Sequence, residues 1–185
     1  MGTMIGNGRD VVSFLMGQHN QIKTLFENVI STTGEQRSKA FFDLRRMLAV
    51  HETAEEEIVH PAARRALPDG EAVVAARLRE ENQAKKVLAD LEKLDVSSAE
   101  FLAQIRTLQA AVLAHAESEE REEFSRLGDH IEPGRLETMR KAAEIAEAVA
   151  PTRPHAGVES AIANMFAGPF ASMVDRTRDA LSGKR

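Results

Sequence analysis

Two segments of the chain carry the same pair of residue types at the same spacing. His51 and Glu55 lie four residues apart, and so do His115 and Glu119. Residues four apart on a helix face the same side, with their Cβ atoms roughly 5–6 Å apart. Each pair can therefore present an imidazole and a carboxylate to one metal ion. Two such pairs in a chain of 185 residues indicate a site for two metal ions.

A further histidine falls within an apolar helical stripe near the N-terminus. His19 follows Leu15 by four residues and precedes Ile22 by three, so the three side chains share one face. Burying an imidazole or a carboxylate without a polar partner is costly. A shared metal ion would offset that cost, and His19 therefore joins the candidate ligands.

The third predicted helix contains no histidine, but an internal repeat suggests what replaces it. Residues 18–26 align with residues 80–88, with asparagine, glutamine and lysine at matching positions. This alignment places Glu81 opposite His19, and their separation is close to that between His51 and His115. The alternative is that Glu81 is an exposed member of the charged run 77–86, with water or another group at that metal.

The candidate ligands are three imidazoles and three carboxylates. They are His19, His51, Glu55, Glu81, His115 and Glu119. Glu52, beside His51, and His155, in a loop between two prolines, are additional candidates. A single zinc site normally uses three or four protein ligands. Six ligands of mixed nitrogen and oxygen type suit a pair of iron or manganese ions with bridging carboxylates.

The other histidines and acidic residues are predicted to lie outside the site. His60 is nine residues from His51 and should point to the opposite side of a regular helix, so it is interpreted as structural. His130 is expected to be exposed beyond a helix end. A solvated acidic rim is expected to contain Glu56, Glu57, Glu120, Glu122 and Glu123.

Hydrophobic periodicity predicts the elements that must position these residues. Four amphipathic helices are expected at 10–29, 35–66, 71–94 and 98–127, followed by helical segments at 135–149 and 159–181. Long helices joined by short turns predict an all-α, up-down-up-down four-helix bundle with additional C-terminal helices. We expect a frayed N-terminus at 1–9, the bundle at 10–130 and a C-terminal helical extension at 131–185.

Composition narrows the class of protein. The absence of cysteine excludes disulfides, iron–sulfur clusters and thiolate metal sites, and it fits a cytoplasmic location. The net charge of −5 gives no reason to expect nucleic acid as a partner. No apolar run reaches the length of a membrane span, and no signal peptide is expected. Partners are expected to be small molecules, with the chain a monomer or homodimer.

The motif order resembles the hemerythrin-like (HHE cation-binding) family, over about residues 10–127. That family has His on the first helix, His-x-x-x-Glu on the second, His on the third and His-x-x-x-Glu on the fourth. The segment from His51 to Pro61 is similar to the actinobacterial branch, as are motifs after Pro151. The resemblance implies two non-haem iron ions, with oxo or hydroxo and carboxylate bridges, that handle O₂, peroxide or nitric oxide. Iron is preferred over manganese.

Glu81 departs from the family pattern, because the family has histidine on the third helix. An extra carboxylate stabilises ferric iron, which favours redox chemistry over reversible O₂ carriage. We therefore expect a catalase-like or peroxidase-like protein that reacts with hydrogen peroxide or O₂ and protects against oxidative stress. The alternative is a module that binds O₂, nitric oxide or iron as a sensor or store without turnover. A third hypothesis is a metal-free interaction bundle that uses an acidic face.

Overall fold

A computed structural model describes residues 8–149, which form an all-α bundle, as predicted. No strand occurs within this described range. Seven α-helices and two π-helical turns follow one another between residues 8 and 149. They are α1 (Val11–Ser31), α2 (Gly34–Ala54), π1 (Glu55–Val59), α3 (His60–Ala66), α4 (Gly70–Leu91), α5 (Ala99–Glu119), π2 (Glu120–Phe124), α6 (Ser125–His130) and α7 (Pro133–Val149).

The second and fourth predicted helices are each interrupted by a π-helical turn. The first interruption has a local cause in Pro61, which lies in the first turn of α3. Proline has no N–H to donate to the carbonyl four residues earlier, and its ring clashes with that carbonyl. The wider turn π1 lets the helix continue past Pro61 instead of ending there. The turn π1 begins at Glu55, the last residue of the first His-x-x-x-Glu motif, and π2 begins directly after Glu119, the last residue of the second, so both lie at the level of the candidate site.

Side-chain caps fix where two of the long helices begin. The Asp10 carboxylate accepts a hydrogen bond from the Ser13 backbone N–H at 2.8 Å, which caps α1. The Ser98 hydroxyl accepts one from the Phe101 N–H at 3.0 Å, which caps α5. Each cap satisfies a backbone donor that the first turn of a helix leaves unpaired.

Two apolar clusters fill the bundle on either side of the candidate site. One includes Phe26, Leu44 and Phe101, all fully buried. The other includes Leu15 and Leu127 and lies where α3, α6 and α7 pack together. The polar residues therefore lie between two dry layers of side chains, which limits the access of water to them.

Helix α7 packs against α1, α2 and π1 and covers one side of the bundle. The boundary predicted at residue 130 falls at the end of α6, but the division into domains stays a prediction. Residues 1–7 of the predicted frayed N-terminus (1–9) and the helical segment predicted at 159–181 lie outside the described residues. Within residues 8–149, no helix combines the length and the apolarity that crossing a bilayer requires.

Replacing Gly70 with alanine tests the close packing between α3 and α4, and replacing Gly17 of α1 is the matched control. A Cβ atom added at Gly70 would lie 2.3 Å from the carbonyl oxygen of Ala63, whereas one added at Gly17 meets nothing within 4 Å. We expect Gly70→Ala to lower the free energy of unfolding by about 1–3 kcal/mol, because the backbones must separate. Gly17→Ala should raise it by about 0.5–1 kcal/mol through helix propensity. Urea denaturation measures both, and equal effects would contradict this close packing.

Candidate metal centre

The six predicted ligands lie together at the middle of the bundle. The Nε2 atom of His51 is 3.1 Å from Oε1 of Glu55, its partner in the motif on the second helix. The Nε2 atoms of His19 and His115 both lie 3.4 Å from Oε2 of Glu119. These side chains come from α1, α2, π1, α4 and α5. Their role as ligands stays a prediction, but the structure brings all of them together.

The ligand atoms form two overlapping groups in which all atoms lie within 4.8 Å of one another. One group is His19, His51, Glu55 and Glu119, and the other is Glu55, Glu81, His115 and Glu119. Glu55 and Glu119 belong to both groups, so they are suited to bridge two metal ions. Glu81 is buried and faces the site, as the internal repeat predicted.

The buried oxygen atoms of the cluster fit a metal pair because they lack other partners. Both carboxylate oxygens of Glu55 and both of Glu119 have no hydrogen-bond partner among the described residues, and neither residue is exposed. The same holds for Oε2 of Glu81 and Nε2 of His19. Buried carboxylates without hydrogen bonds are costly unless they bind a cation. The donor set therefore matches two cations that accept nitrogen and oxygen ligands.

An outer layer of acceptors orients the three imidazoles. The Nδ1 atom of His19 donates to Glu120 at 2.7 Å, and that of His115 donates to Glu80 at 2.9 Å. The Nδ1 atom of His51 donates to the side-chain oxygen of Gln18 at 2.9 Å, and Gln18 donates to Glu147 of α7 at 2.6 Å. A proton held on Nδ1 leaves the lone pair of Nε2 facing the cluster, which is the tautomer that binds a metal.

His60 is not on the opposite side of the helix, so the prediction of its position was wrong. Its Nε2 atom lies 2.8 Å from Oε1 of Glu81, and its Nδ1 atom lies 3.0 Å from Oε1 of Glu123. Nine residues of regular α-helix rotate a side chain by about 180°. The π1 turn accommodates one extra residue, so the nine residues from His51 to His60 rotate the side-chain direction only as far as about eight residues of regular α-helix would. His60 therefore points towards the cluster.

Two members of the predicted acidic rim are also buried. Glu123 is not exposed, and Glu56 is 5% exposed, because α3, α6 and α7 cover the layer beyond the cluster. Glu122 lies nearer the surface, with 42% of its side chain exposed. Glu57 and Glu120 are half-buried. The rim is therefore smaller than predicted, and the acidic interior is larger.

Lys85 supplies a buried positive charge beside the cluster. Its ammonium group forms an ion pair with Glu56, lies 3.5 Å from Oε2 of Glu52 and lies 4.0 Å from Oε2 of Glu81. Burial opposes the charged form, but the charges of Glu52 and Glu56 raise the pKa of Lys85 above its usual range. Glu52 therefore contacts a lysine in addition to lying beside His51. Sequence reasoning missed Lys85, although its position four residues after Glu81 places it on the inner face of α4.

Burial and crowding of like charges shift the pKa values of the cluster in the absence of metal. Burial, with the charge of Glu81, raises the pKa of Glu55 to about 7. Burial, with the charge of His19, lowers the pKa of His51 to about 3. For His115 the effect of burial is outweighed by Glu119 and Glu80, which raise its pKa to about 10. The raised pKa of Glu55 indicates that added positive charge would favour its ionised form. At Glu81 burial opposes ionisation, but the charge of His60 and its hydrogen bond lower the pKa to about 2.

A pocket of about 30 Å³ leads to the cluster between α4 and α5. Its wall includes Glu52, Glu80, Ala84, Ala111 and Ala116, together with three of the imidazoles. A cavity needs roughly 10–15 Å³ to hold one water molecule, so this pocket can admit one or two molecules of that size. His130 is exposed, as predicted, and His155 lies outside the described residues.

Comparisons with known proteins agree with this arrangement. The sequence model of the family described as "Hemerythrin HHE cation binding domain" matches residues 10–127. A crystal structure of a hemerythrin HHE cation-binding domain-containing protein from Mycobacterium kansasii superposes with a TM-score of 0.67 at 21% identity. The superposition covers 75% of this chain and 85% of that one, and it supports the fold.

A curated relative from Nostoc sp. is named a DNA nickase. It is 25% identical to this chain over 126 residues, which are 68% of this chain and 34% of the relative. The chain therefore spans about a third of the length of that relative.

Proposed function

Because the chain belongs to the hemerythrin HHE cation-binding domain family, we propose that its central cluster binds two iron ions and reacts with hydrogen peroxide or O₂. The observation that carries this proposal is the pair of overlapping ligand groups that share Glu55 and Glu119. In this arrangement His19 and His51 would hold one ion, and Glu81 and His115 would hold the other. Two adjacent iron ions supply a redox couple able to exchange the two electrons that peroxide disproportionation requires.

The chain's own residues support this chemistry by orienting ligands and excluding bulk water. The outer acceptors Gln18, Glu80 and Glu120 hold each imidazole in the tautomer with Nε2 facing inward. A pocket between α4 and α5 reaches the site between the two apolar clusters and offers a route for a small molecule. A small pocket selects small substrates, since hydrogen peroxide and O₂ are comparable in size with water.

Glu52 is suited to hold a proton next to the substrate. It lines the pocket, and burial raises its pKa to about 8 despite the opposing charge of Lys85. Burial therefore favours the protonated form of this carboxyl group in the metal-free protein. Disproportionation converts two molecules of hydrogen peroxide into two of water and one of O₂. A carboxyl group at the pocket wall can pass protons between the oxygen atoms involved.

Iron loading followed by metal analysis and peroxide assays tests the proposal. We expect two iron ions per chain, absorbance in the near ultraviolet, and O₂ evolution when hydrogen peroxide is added. His51→Ala should lose at least half of the bound iron and nearly all of the O₂ evolution. A protein that binds no iron after reconstitution would overturn the proposal. Bound iron with a reversible spectral response to O₂ or nitric oxide, but no turnover, would instead support a sensor or store.

Two alanines of α5, each replaced by phenylalanine, test whether substrate enters through the pocket. Ala111 is exposed and lines the pocket, whereas Ala114 is exposed on the same helix and is not part of the wall. We expect Ala111→Phe to slow O₂ evolution at least about tenfold by obstructing the pocket, with unchanged iron content. Ala114→Phe should retain both activity and iron. Initial rates measured with an oxygen electrode compare the two, and equal rates would show that substrate enters elsewhere.

A further inference from the structure

His60 has the same two-sided environment as the three predicted histidine ligands. In each of those three, Nδ1 donates to an outer acceptor, and Nε2 lies 3.1–3.4 Å from a carboxylate oxygen of Glu55 or Glu119. For His60 the outer acceptor is Glu123, 3.0 Å from Nδ1, and the inner contact is Glu81, 2.8 Å from Nε2. His60 is 1% exposed and Glu123 is not exposed, so solvent plays no part in either contact.

The two ligand groups are unequal without His60. The first contains two imidazoles, His19 and His51, whereas the second contains only His115. No residue of α4 is a histidine, so the helix that carries Glu81 cannot supply a second one. A ring nitrogen of His60 lies within 4.8 Å of carboxylate oxygens of both Glu119 and Glu123. Its Nε2 atom also lies 2.8 Å from Oε1 of Glu81, which belongs to the second group alone, so His60 borders the position that lacks a nitrogen donor.

We propose that Nε2 of His60 is a ligand of the second metal ion, in the place of the histidine that α4 lacks. This inference rests on the proposed binding of two metal ions. It gives each ion two imidazoles, with Glu81 as an additional oxygen donor and Glu55 and Glu119 as bridges. Two donors on one ion, each about 2.1 Å from it and at right angles, lie about 3 Å apart. The distance between His60 Nε2 and Glu81 Oε1 agrees with this.

Glu123 has the role in this arrangement that Gln18, Glu80 and Glu120 have for the other imidazoles. A carboxylate that accepts the outer N–H of a histidine ligand fixes the ring and strengthens the metal bond. Oε1 of Glu123 accepts the Nδ1–H of His60, and Oε2 has no hydrogen-bond partner among the described residues. The π1 turn is what makes the contact possible, because it rotates His60 away from the opposite face of the helix.

Metal titration of His60 variants tests the assignment. Cobalt(II) and iron(II) are added without oxygen to the metal-free full chain, and bound ions are counted after gel filtration. We expect two ions per chain in the natural sequence and about one in His60→Gly, with the second restored by millimolar imidazole. His60→Gln should also lose the second ion, although its side-chain amide can donate to Glu81. His130→Gly, at an exposed position, should retain two ions with or without imidazole.

Glu123→Gln provides a second test in case His60→Gly does not fold, which circular dichroism will report. It keeps His60 and an acceptor for Nδ1 but removes the charge. We expect affinity for one of the two ions to fall roughly 10–100-fold, with the other unchanged. Two tightly bound ions in His60→Gln, or unchanged affinities in Glu123→Gln, would overturn the ligand role of His60. A natural sequence that binds no metal would refute the proposed function itself, which is a different result.

Discussion

Replacing Glu119 with glutamine is expected to abolish the binding of both metal ions and to stabilise the metal-free fold. Glu119 is fully buried and belongs to every group of potential ligands found in the described residues. A neutral amide cannot bridge two cations in the way that a carboxylate can. Bound metal should fall from two ions per chain to about a tenth of that or less, and O₂ evolution should fall at least 100-fold.

Although Glu119→Gln should abolish metal binding, it should stabilise the metal-free protein, because the cluster places several carboxylates close together. Both oxygens of Glu119 lack hydrogen-bond partners among the described residues. Without metal, His19 and His115, whose Nε2 atoms each lie 3.4 Å from Oε2 of Glu119, offset only part of its burial and of the repulsion from Glu55 and Glu81. Removing one charge should raise the free energy of unfolding of the metal-free protein by about 1–3 kcal/mol. Urea denaturation in the presence of a chelator measures this.

Glu117→Gln is the matched control, since Glu117 is exposed on the same helix two residues away. It should change neither the metal content nor, by more than about 0.5 kcal/mol, the stability. If Glu119→Gln kept both metals, Glu119 would not be a bridging ligand. If it destabilised the metal-free protein, the buried carboxylates would not be under the electrostatic strain inferred here.

The main helices and the six predicted ligands could be located from the sequence because both depend on regular α-helical periodicity. The stripe of Leu15, His19 and Ile22 shows which face is buried, and the four-residue spacing of His51 and Glu55 shows that they share it. Glu81 was harder to identify, because its own helix has no histidine. The internal repeat located it, and the structure places it inside the bundle.

The residues that sequence reasoning misplaced lie in or after the π turns. His60 follows π1 and Glu123 lies within π2, where the rotation per residue no longer follows the α-helical value. Pro61 was the available signal, since a proline late in a helix requires some irregularity just before it. The direction in which the His60 side chain points could not be derived from Pro61, because a kink, a helix end and a π turn all accommodate a proline.

The outer contacts were also beyond the reach of a sequence pattern. Gln18, Glu80 and Glu120 contact histidines on other helices, and these contacts depend on how the helices are rotated against one another. Glu147 lies on α7, outside the matched family region, and reaches Gln18 only because α7 packs on α1 and α2. Such long-range partners follow from packing and are not encoded in local spacing.

Lys85→Met is expected to be strongly destabilising, because Lys85 is the ammonium group that faces three buried or partly buried carboxylates. It forms an ion pair with Glu56 and lies within 4.0 Å of both Glu52 and Glu81. Methionine fills a similar volume, so the loss is electrostatic and not a cavity effect. Removing one partner from a buried ion pair typically costs 3–5 kcal/mol, and we expect a loss of that size in the metal-free protein at pH 8.

The loss of stability in Lys85→Met should depend on pH, because it depends on whether the neighbouring carboxyl groups are ionised. Burial already raises the pKa of Glu52 to about 8 from 4.5, so its neutral form is favoured in the folded state. A carboxyl group whose folded pKa is raised contributes stability that is fully present below its unfolded pKa and is lost as pH rises through the folded value. Without Lys85 the pKa of Glu52 should rise further, because the charge of Lys85 opposes the rise. The difference in stability from the natural sequence should therefore be smaller at pH 5 than at pH 8.

Denaturant titrations at both pH values test this expectation, with Lys86→Met as the control. Lys86 is the next residue along α4 and is exposed, so its replacement should change stability by less than about 0.5 kcal/mol at either pH. Adding Glu56→Gln to Lys85→Met should recover part of the loss, because it removes the carboxylate of the ion pair. A pH-independent loss, or no recovery in the double variant, would indicate that Lys85 stabilises the bundle by packing of its aliphatic chain. The expected pattern would show instead that the carboxylate-rich interior depends on this one ammonium group as well as on its metal ions.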